Sequence, residues 1–357
     1  MSQSKLIFQG SSGCIFRPQI PCNGSKSKKT KDKVTKVIFD KKNKEYIIGN
    51  FIKTIHNYQK WTTLWEDICD SPDYEKMIQH TDIKLCLKNN NMNPNSIPKN
   101  FKFLLFQGSH GGLTLENYCK KTITKEMLKN KKKFIILFKR MFKLLNNIFY
   151  GLVELSKNNI CHHDINIRNI LIKDKKSYII DYDISLFTNE KLENNDFLLK
   201  RIKSEYENYR LYEAYPYEYL YSILEDKDVI LTEQENIALY QNRISYYEIY
   251  DPIYHKIFSI DTDNLRFEFL EDKLQGINKQ NFNDLFKSLD TYSLGMMIFI
   301  IFLDSSERLE VSQKTVIQNL RCDELRPYLN LIRDMIEFDY RDRPHISEIY
   351  KRYLNLI

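Results

Sequence analysis

The sequence predicts an α+β chain, with strand patterns gathered in its first third and helical patterns in the remainder. Three observations predict it. Short apolar runs, K-L-I-F, G-C-I-F-R, V-T-K-V-I-F and F-K-F-L-L-F, recur before residue 107 and are separated by Gly, Pro, Asn and Lys. Beyond that point Phe134, Leu137, Met141, Leu144, Leu145, Ile148, Leu152 and Leu155 form one stripe at helical spacing over 133–157. The chain has 357 residues, 42% of them hydrophobic, which supports a sizeable core and excludes a disordered polymer.

Charge and cysteine usage narrow the class further. The formal charge of +7 comes from Lys spread through an Ile/Asn/Lys-rich background, which implies weak affinity for polyanions and no specific nucleic-acid partner. The seven Cys are odd in number, scattered and without a C-x-x-C pair, so neither a disulfide framework nor a zinc site is expected, and a reducing compartment is. The opening M-S-Q-S-K-L-I-F holds no long apolar run, so no secretory leader is expected. Met296–Leu303, the longest apolar run, falls far short of the ~20 residues of a membrane span. A soluble, cytoplasmic protein with no membrane span is the expectation.

In chain order, Lys5–Arg17 reads as two strands around Gly10-Ser-Ser-Gly13. Glycines there let backbone N–H groups approach phosphate oxygens, although an ordinary β-turn uses the same residues. Residues 18–33 form a polar, Lys-rich loop. Val34–Phe39 alternates like a strand and carries Lys36 among apolar neighbours, where an ammonium needs an anionic partner. Tyr46, Ile47, Phe51, Ile52 and Ile55 predict a helix over 43–58, with Glu45 in its first turn. Residues 67–99 read as loops. Phe101–Phe106 is a strand, followed by Gln107-Gly-Ser-His-Gly-Gly112 and a helix from Leu113; a single long helix is expected over 133–157.

Residues 160–185 read as strand, loop, strand and an acid just past the second strand. Asp164 and Asn169 lie in the polar loop, and Asp181 ends the apolar run Ser177–Ile180. Such a hairpin projects oxygen-bearing side chains to one edge, which suits Mg²⁺ and a phosphate because a hard cation takes oxygen ligands.

His162-His163-Asp164 followed by Asn169 resembles the protein-kinase catalytic loop H-R-D-L-x-x-x-N, and Asp181-Tyr182-Asp183 resembles D-F-G. Further matches follow in kinase order. Gly10, Gly13 and Ile15 resemble the later positions of the Gly-rich loop, and Lys36 the strand Lys of V-A-I-K. Phe106 and Gln107–Ser109 resemble the hinge. Glu213–Glu218 resembles A-P-E, Asp290–Gly295 a D-x-x-S-x-G helix start, and Asp339–Pro344 a late D-x-R-P turn.

The resemblance implies a bilobal protein-kinase-like fold, with a small mainly β lobe over 1–107 and a larger mainly α lobe over 108–357, carrying an insertion at about 219–288. It implies ATP and Mg²⁺ as cofactors and transfer of the γ-phosphate to Ser/Thr hydroxyls of protein substrates. Asp164 is then the catalytic base, and Asn169 and Asp181 hold the metal. Lys36 clamps the phosphates, Glu45 pairs with Lys36 (Glu66 in reserve), and Gln107 and Ser109 offer backbone groups to adenine. Arg343 would pair with Glu218.

Three residues depart from the family pattern. His163 replaces the Arg of H-R-D, Asn166 the Lys two residues after the Asp, and Asp183 the Gly of D-F-G. A pseudokinase scaffold and a small-molecule phosphotransferase with a kinase-like core are the alternatives, and Pro216, Glu218 and Arg343 favour protein substrates over the latter. Within the family, G-S-S-G-C-I-F-R-P, V-T-K-V-I-F and the long insertion resemble the divergent Ser/Thr kinases of large DNA viruses. That implies viral or host protein partners in infected cytoplasm or in virions.

Overall fold

A computed structural model describes residues 4–10, 13–25, 32–39, 45–188, 254–258, 282–337 and 341–357. Ser11 and Ser12, Glu213–Glu218, most of the expected insertion (Tyr240, Tyr246, Tyr247 and Tyr250 included), and Asp339 and Tyr340 lie outside the described residues. The protein is α+β. It divides into two units, one of Met1–Gly112 with Ile180–Ile184, the other of Leu113–Ile179 with Ser185–Ile357.

The first unit is built on a five-stranded antiparallel sheet in the order β1-β2-β3-β5-β4. Its strands are β1 (Lys5–Gly10), β2 (Gly13–Arg17), β3 (Lys33–Ile38), β4 (Asp67–Asp70) and β5 (Leu104–Ser109). The β1–β2 register closes at Gly10 opposite Gly13, as the two glycines predict. Gly13 cannot be replaced without displacing backbone, because a Cβ there would lie 2.0 Å from the Val37 carbonyl oxygen. Helix α1 (Glu45–Ile52) is shorter than expected; the chain leaves it through turns in which Asn57 takes a left-handed conformation. Two helices fall in a stretch read as loops, α2 (Tyr74–His80) and α3 (Ile83–Asn89). Met77, Ile83 and Leu87 from these helices join Phe16, Val37 and Leu105 from the sheet in one buried core. β5 runs on through Ser109, paired with Lys33, so the division between units falls after Gly112 and Gln107–Ser109 remain in the first sheet.

The cysteines correct a sequence expectation. Cys14 on β2 is bridged to Cys86 on α3, and Cys22 to Cys69 on β4, with Cα atoms 6.2 and 5.8 Å apart. Both spacings lie in the normal disulfide range. The partners are 72 and 47 residues apart, so only the folded sheet brings them together and no local spacing could announce them. Cys119, Cys161 and Cys322 are buried free thiols, which accounts for the odd number. The cysteine pattern therefore no longer supports a reducing compartment.

The second unit is mainly helical. It holds the small sheets β6-β8-β9 and β7-β10, built from β6 (Leu113–Thr114), β7 (Ile160–Cys161), β8 (Ile170–Lys173), β9 (Lys176–Ile179) and β10 (Leu186–Phe187). The helices are α4 (Leu115–Thr122), α5 (Lys125–Lys129), α6 (Lys131–Leu144), α7 (Asn146–Lys157), α8 (Phe282–Arg308), α9 (Gln313–Leu320), α10 (Arg326–Met335) and α11 (Ile346–Leu354). Every residue of Met296–Leu303 on α8 is buried, with Phe302 against Phe134 and Phe138. A stretch of this helix, Phe286–Arg308, is long and apolar enough to cross a membrane, but it is packed as core, with 89% of its most apolar window buried. Gly295 lets α8 approach α10, since a Cβ there would meet Ile336 Cγ2 at 2.6 Å.

The single helix expected over 133–157 is two helices broken at Leu145. Side chains from distant segments take the carbonyls around the break. Ser177 Oγ donates to Leu144 O at 2.7 Å, and Tyr353 Oη donates to Phe142 O at 2.9 Å. Insertion of such donors is a recognised cause of helix breaks. The apolar stripe nonetheless continues, because Phe134, Leu137, Met141, Leu145, Ile148, Leu152 and Leu155 are all buried.

Candidate active site

The residues singled out from the sequence fall into two groups, one in each unit. In the first unit Lys36 sits mid-strand on β3, only 4% exposed. Its ammonium donates to Glu45 Oε2 at 2.7 Å and to Asp181 Oδ1 at 2.8 Å. Glu45, at the first turn of α1, is also buried, and its second oxygen Oε1 accepts from the Trp65 indole N–H at 2.6 Å. Burial opposes the Lys36 charge, but Glu45, Asp181 and Asp183 outweigh it and raise its pKa, so the group stays an ammonium. Burial pushes the Glu45 carboxyl upward and Lys36 pulls it back. Asp181 takes a left-handed backbone (φ 69°), a conformation Asp tolerates better than most residues. Beside it Tyr182 is buried and donates to Thr62 Oγ1 at 2.9 Å. Glu66, the reserve partner for Lys36, instead pairs with Lys33 and accepts from Ser109 Oγ at 2.6 Å.

Other predicted residues of this unit lie in the sheet. Gly10 and Gly13 close the β1–β2 hairpin and Ile15 is opposite Lys36 in the register. Gln107 and Ser109, expected to offer backbone groups, are strand residues of β5. The Gln107 carbonyl accepts from the Glu66 N–H at 2.7 Å and its side-chain amide donates to Ile20 O at 2.7 Å. Phe106 is fully buried, against Tyr46 and Trp65.

In the second unit a compact loop joins β7 to β8. Asp164 Oδ1 accepts from Asn166 Nδ2 and Oδ2 from Asn169 Nδ2, each at 2.7 Å. Asn169 Nδ2 also reaches the Asp164 carbonyl at 3.0 Å, while Asn166 Oδ1 accepts from the Arg168 N–H at 2.9 Å. The two amides thus fix the carboxylate in one orientation, and a carboxylate has further lone pairs for a third donor. β8 and β9 follow as a hairpin with Lys173 opposite Lys176. The two loop residues, Asp174 and Lys175, both have positive φ, as a tight primed turn requires.

The loop is anchored from α8. Asp290, buried in that helix, accepts from the backbone N–H groups of His162 at 2.7 Å and His163 at 2.9 Å. This pins His163 in its left-handed conformation (φ 69°). Burial pushes the Asp290 carboxyl upward, with His162 and the two N–H groups pulling it back. Ser185 Oγ adds a bond to His162 O at 3.0 Å. Arg343 is buried, with its guanidinium on Glu337 O and on Ser288 O and Oγ; its expected partner Glu218 lies outside the described residues.

Three participants were not foreseen in these roles. Trp65 carries no motif, and its bond to Glu45 depends on the fold. Asn166 was read only as a lost Lys, yet it is one of two amides holding Asp164; an amide two residues after an acid is itself a turn signal. Asp290 was read as a helix start and proves to be the anchor of the loop. Asp290→Ala should cost roughly 3 kcal/mol, the scale for losing two bonds to a buried carboxylate. Denaturant titration checks this, and an unchanged midpoint would show that the anchor carries no stability.

The residues the resemblance implies for a metal, Asn169 in the second unit and Asp181 in the first, both offer side-chain oxygen. Mg²⁺ takes oxygen ligands and keeps waters and phosphate oxygens among them. Among the described residues no three His, Cys, Asp or Glu side chains cluster as a metal site. Comparison of the chain with protein-family models and with curated proteins finds no match.

Proposed function

We propose that this protein is an ATP-dependent Ser/Thr protein kinase of the two-lobed type, with the first unit as its nucleotide-binding lobe. The observation that carries the reading is the buried ammonium of Lys36 held by Glu45 and Asp181. A fully buried cation on a central strand is costly unless it is paired. Two carboxylates converging on it, one of them from the D-Y-D segment far along the chain, form the arrangement a phosphate clamp requires.

In this reading Lys36 binds the nucleotide phosphates, with Glu45, tied by Trp65, fixing its direction. Asp164 accepts the proton of the substrate hydroxyl as the new O–P bond forms. Asn166 and Asn169 hold its carboxylate so that the proton-accepting lone pair is presented in one direction. Asn169 and Asp181 would hold Mg²⁺, which when bound neutralises charge on the transferring phosphoryl group. Gly10 and Gly13, which close the β1–β2 hairpin, would let backbone N–H groups approach the phosphates.

Asn166 in place of a Lys removes one cation from the γ-phosphate side, which favours a slow kinase over a fast one. Mg²⁺-ATP should raise the thermal midpoint of the full chain in proportion to the logarithm of its concentration, as a ligand of the folded state does. No shift at millimolar Mg²⁺-ATP would remove the nucleotide-binding part of the reading.

A further inference from the structure

Positive charge gathers at two places in this chain, one of them residues 26–44, with nine Lys and two Asp. The other, residues 115–144, carries ten Lys or Arg and two Glu, a net of +8. The stretch covers α4, α5 and α6, all in the second unit. A uniform compositional bias would not gather the charge this way.

On α6 the cations share one face. Lys132, Lys133, Lys139, Arg140 and Lys143 all fall within about 60° of Ile136 around the helix, and all are exposed. Ile136 is 67% exposed at the centre of this face, the most exposed large hydrophobic among the described residues. Lys132, Lys139, Arg140 and Lys143 form no ion pair with any described residue. Lys131 to Lys133 also occupy the first turn of α6, the positive end of the helix dipole, where cations are unfavourable.

We propose that the exposed face of α6 docks an acidic protein segment that carries an apolar residue among its carboxylates. Three observations favour that occupant over other polyanions. The anion already seated on this face is a glutamate, Glu126 on Lys133, and the neighbouring Lys120 and Lys131 likewise pair with Glu116 and Glu324. Nine of the ten cations are Lys, point charges without the planar fork that favours phosphate recognition, and the one Arg bonds Tyr118 Oη at 3.4 Å. A central Ile ringed by cations matches an apolar anchor with a charged rim, which a phosphodiester backbone would leave uncovered. One exposed Ile is also too little apolar surface to insert into a membrane interface. The docking stands whether or not the chain transfers phosphate; if it does, acidic proteins are its substrates.

The test is fluorescence anisotropy of the full chain with a labelled peptide of Glu interspersed with Leu, without Ser, Thr or Tyr and without nucleotide. Lys132→Glu/Lys139→Glu/Lys143→Glu should bind it at least about tenfold more weakly, and Ile136→Ser should weaken it with charge intact. Each variant's circular dichroism is compared with wild type to show the fold is kept. Binding that is unchanged in the triple variant overturns the proposal. So does tighter binding of random-sequence DNA or of phosphatidylserine vesicles than of the peptide. Because no phosphate transfer is measured, failure here leaves the kinase reading untouched, and the reverse also holds.

Discussion

Asp164→Ala is expected to lower phosphate transfer by about 10²–10⁴-fold, the usual contribution of a positioned general base, while leaving the protein folded. The carboxylate holds two amides at 2.7 Å, so truncation leaves Asn166 and Asn169 without an acceptor. That costs on the order of 1–3 kcal/mol, which is survivable for a loop anchored separately by Asp290. Asp164→Asn separates the two roles. It retains an oxygen acceptor for one amide but cannot take up a proton, and it should be as inactive as the alanine variant with most of the stability restored. Wild-type turnover by Asp164→Asn would show that the residue is structural.

Lys36→Met is expected to have the second large effect, on stability and on nucleotide binding together. It leaves Glu45 and Asp181 facing each other without the cation that compensates them. Breaking a buried pair from one side costs about 3–5 kcal/mol. Glu45 limits the loss by taking a proton, since burial already pushes its carboxyl upward. The pH dependence has a definite sign. A carboxyl whose folded pKa exceeds its unfolded value binds its proton more tightly when folded, so stability falls as pH rises from the unfolded pKa through the folded one. The Lys36→Met variant should therefore lose stability from acid toward neutral pH more steeply than wild type. Lys36→Met/Glu45→Gln should be less destabilised than the two single changes summed, because the stranded charge is removed. Equal pH slopes for Lys36→Met and wild type would contradict the buried pair.

The features that were legible in the sequence are local ones. Gly10 and Gly13 announce a hairpin because only a tight turn needs them. Lys36 announces a partner because it interrupts an apolar strand, and Met296–Leu303 announces a core helix because no polar residue interrupts it. The strand before Asp181 was legible from the apolar run Ser177–Ile180, but its hairpin partner β8 and the tight turn at Asp174 and Lys175 were not. The loop with Asp164 and Asn169 was read as joining the two hairpin strands, and β7 before it pairs with β10 instead. The remainder depends on residues distant in sequence. The disulfides join positions 72 and 47 apart. The break at Leu145 is set by hydroxyls from Ser177 and Tyr353. Trp65 reaches Glu45 because β4 pairs with β5, and Asp290 reaches the loop because α8 packs beneath it. Pattern reading supplies candidates for a site and says little about what holds them in place.

Among the three departures from the kinase pattern, two now have a structural account. Asn166 takes a place on Asp164, and His163 sits in a backbone conformation fixed by Asp290. Asp183 adds negative charge near Lys36, one of the carboxylates that hold the ammonium's pKa up.

The most direct test is transfer of radiolabelled γ-phosphate from Mg²⁺-ATP to a generic protein substrate by the full chain, followed by phosphoamino-acid analysis. The account predicts labelled phosphoserine or phosphothreonine with wild type and almost none with Asp164→Ala. No label with wild type, or equal label with Asp164→Ala, would contradict it.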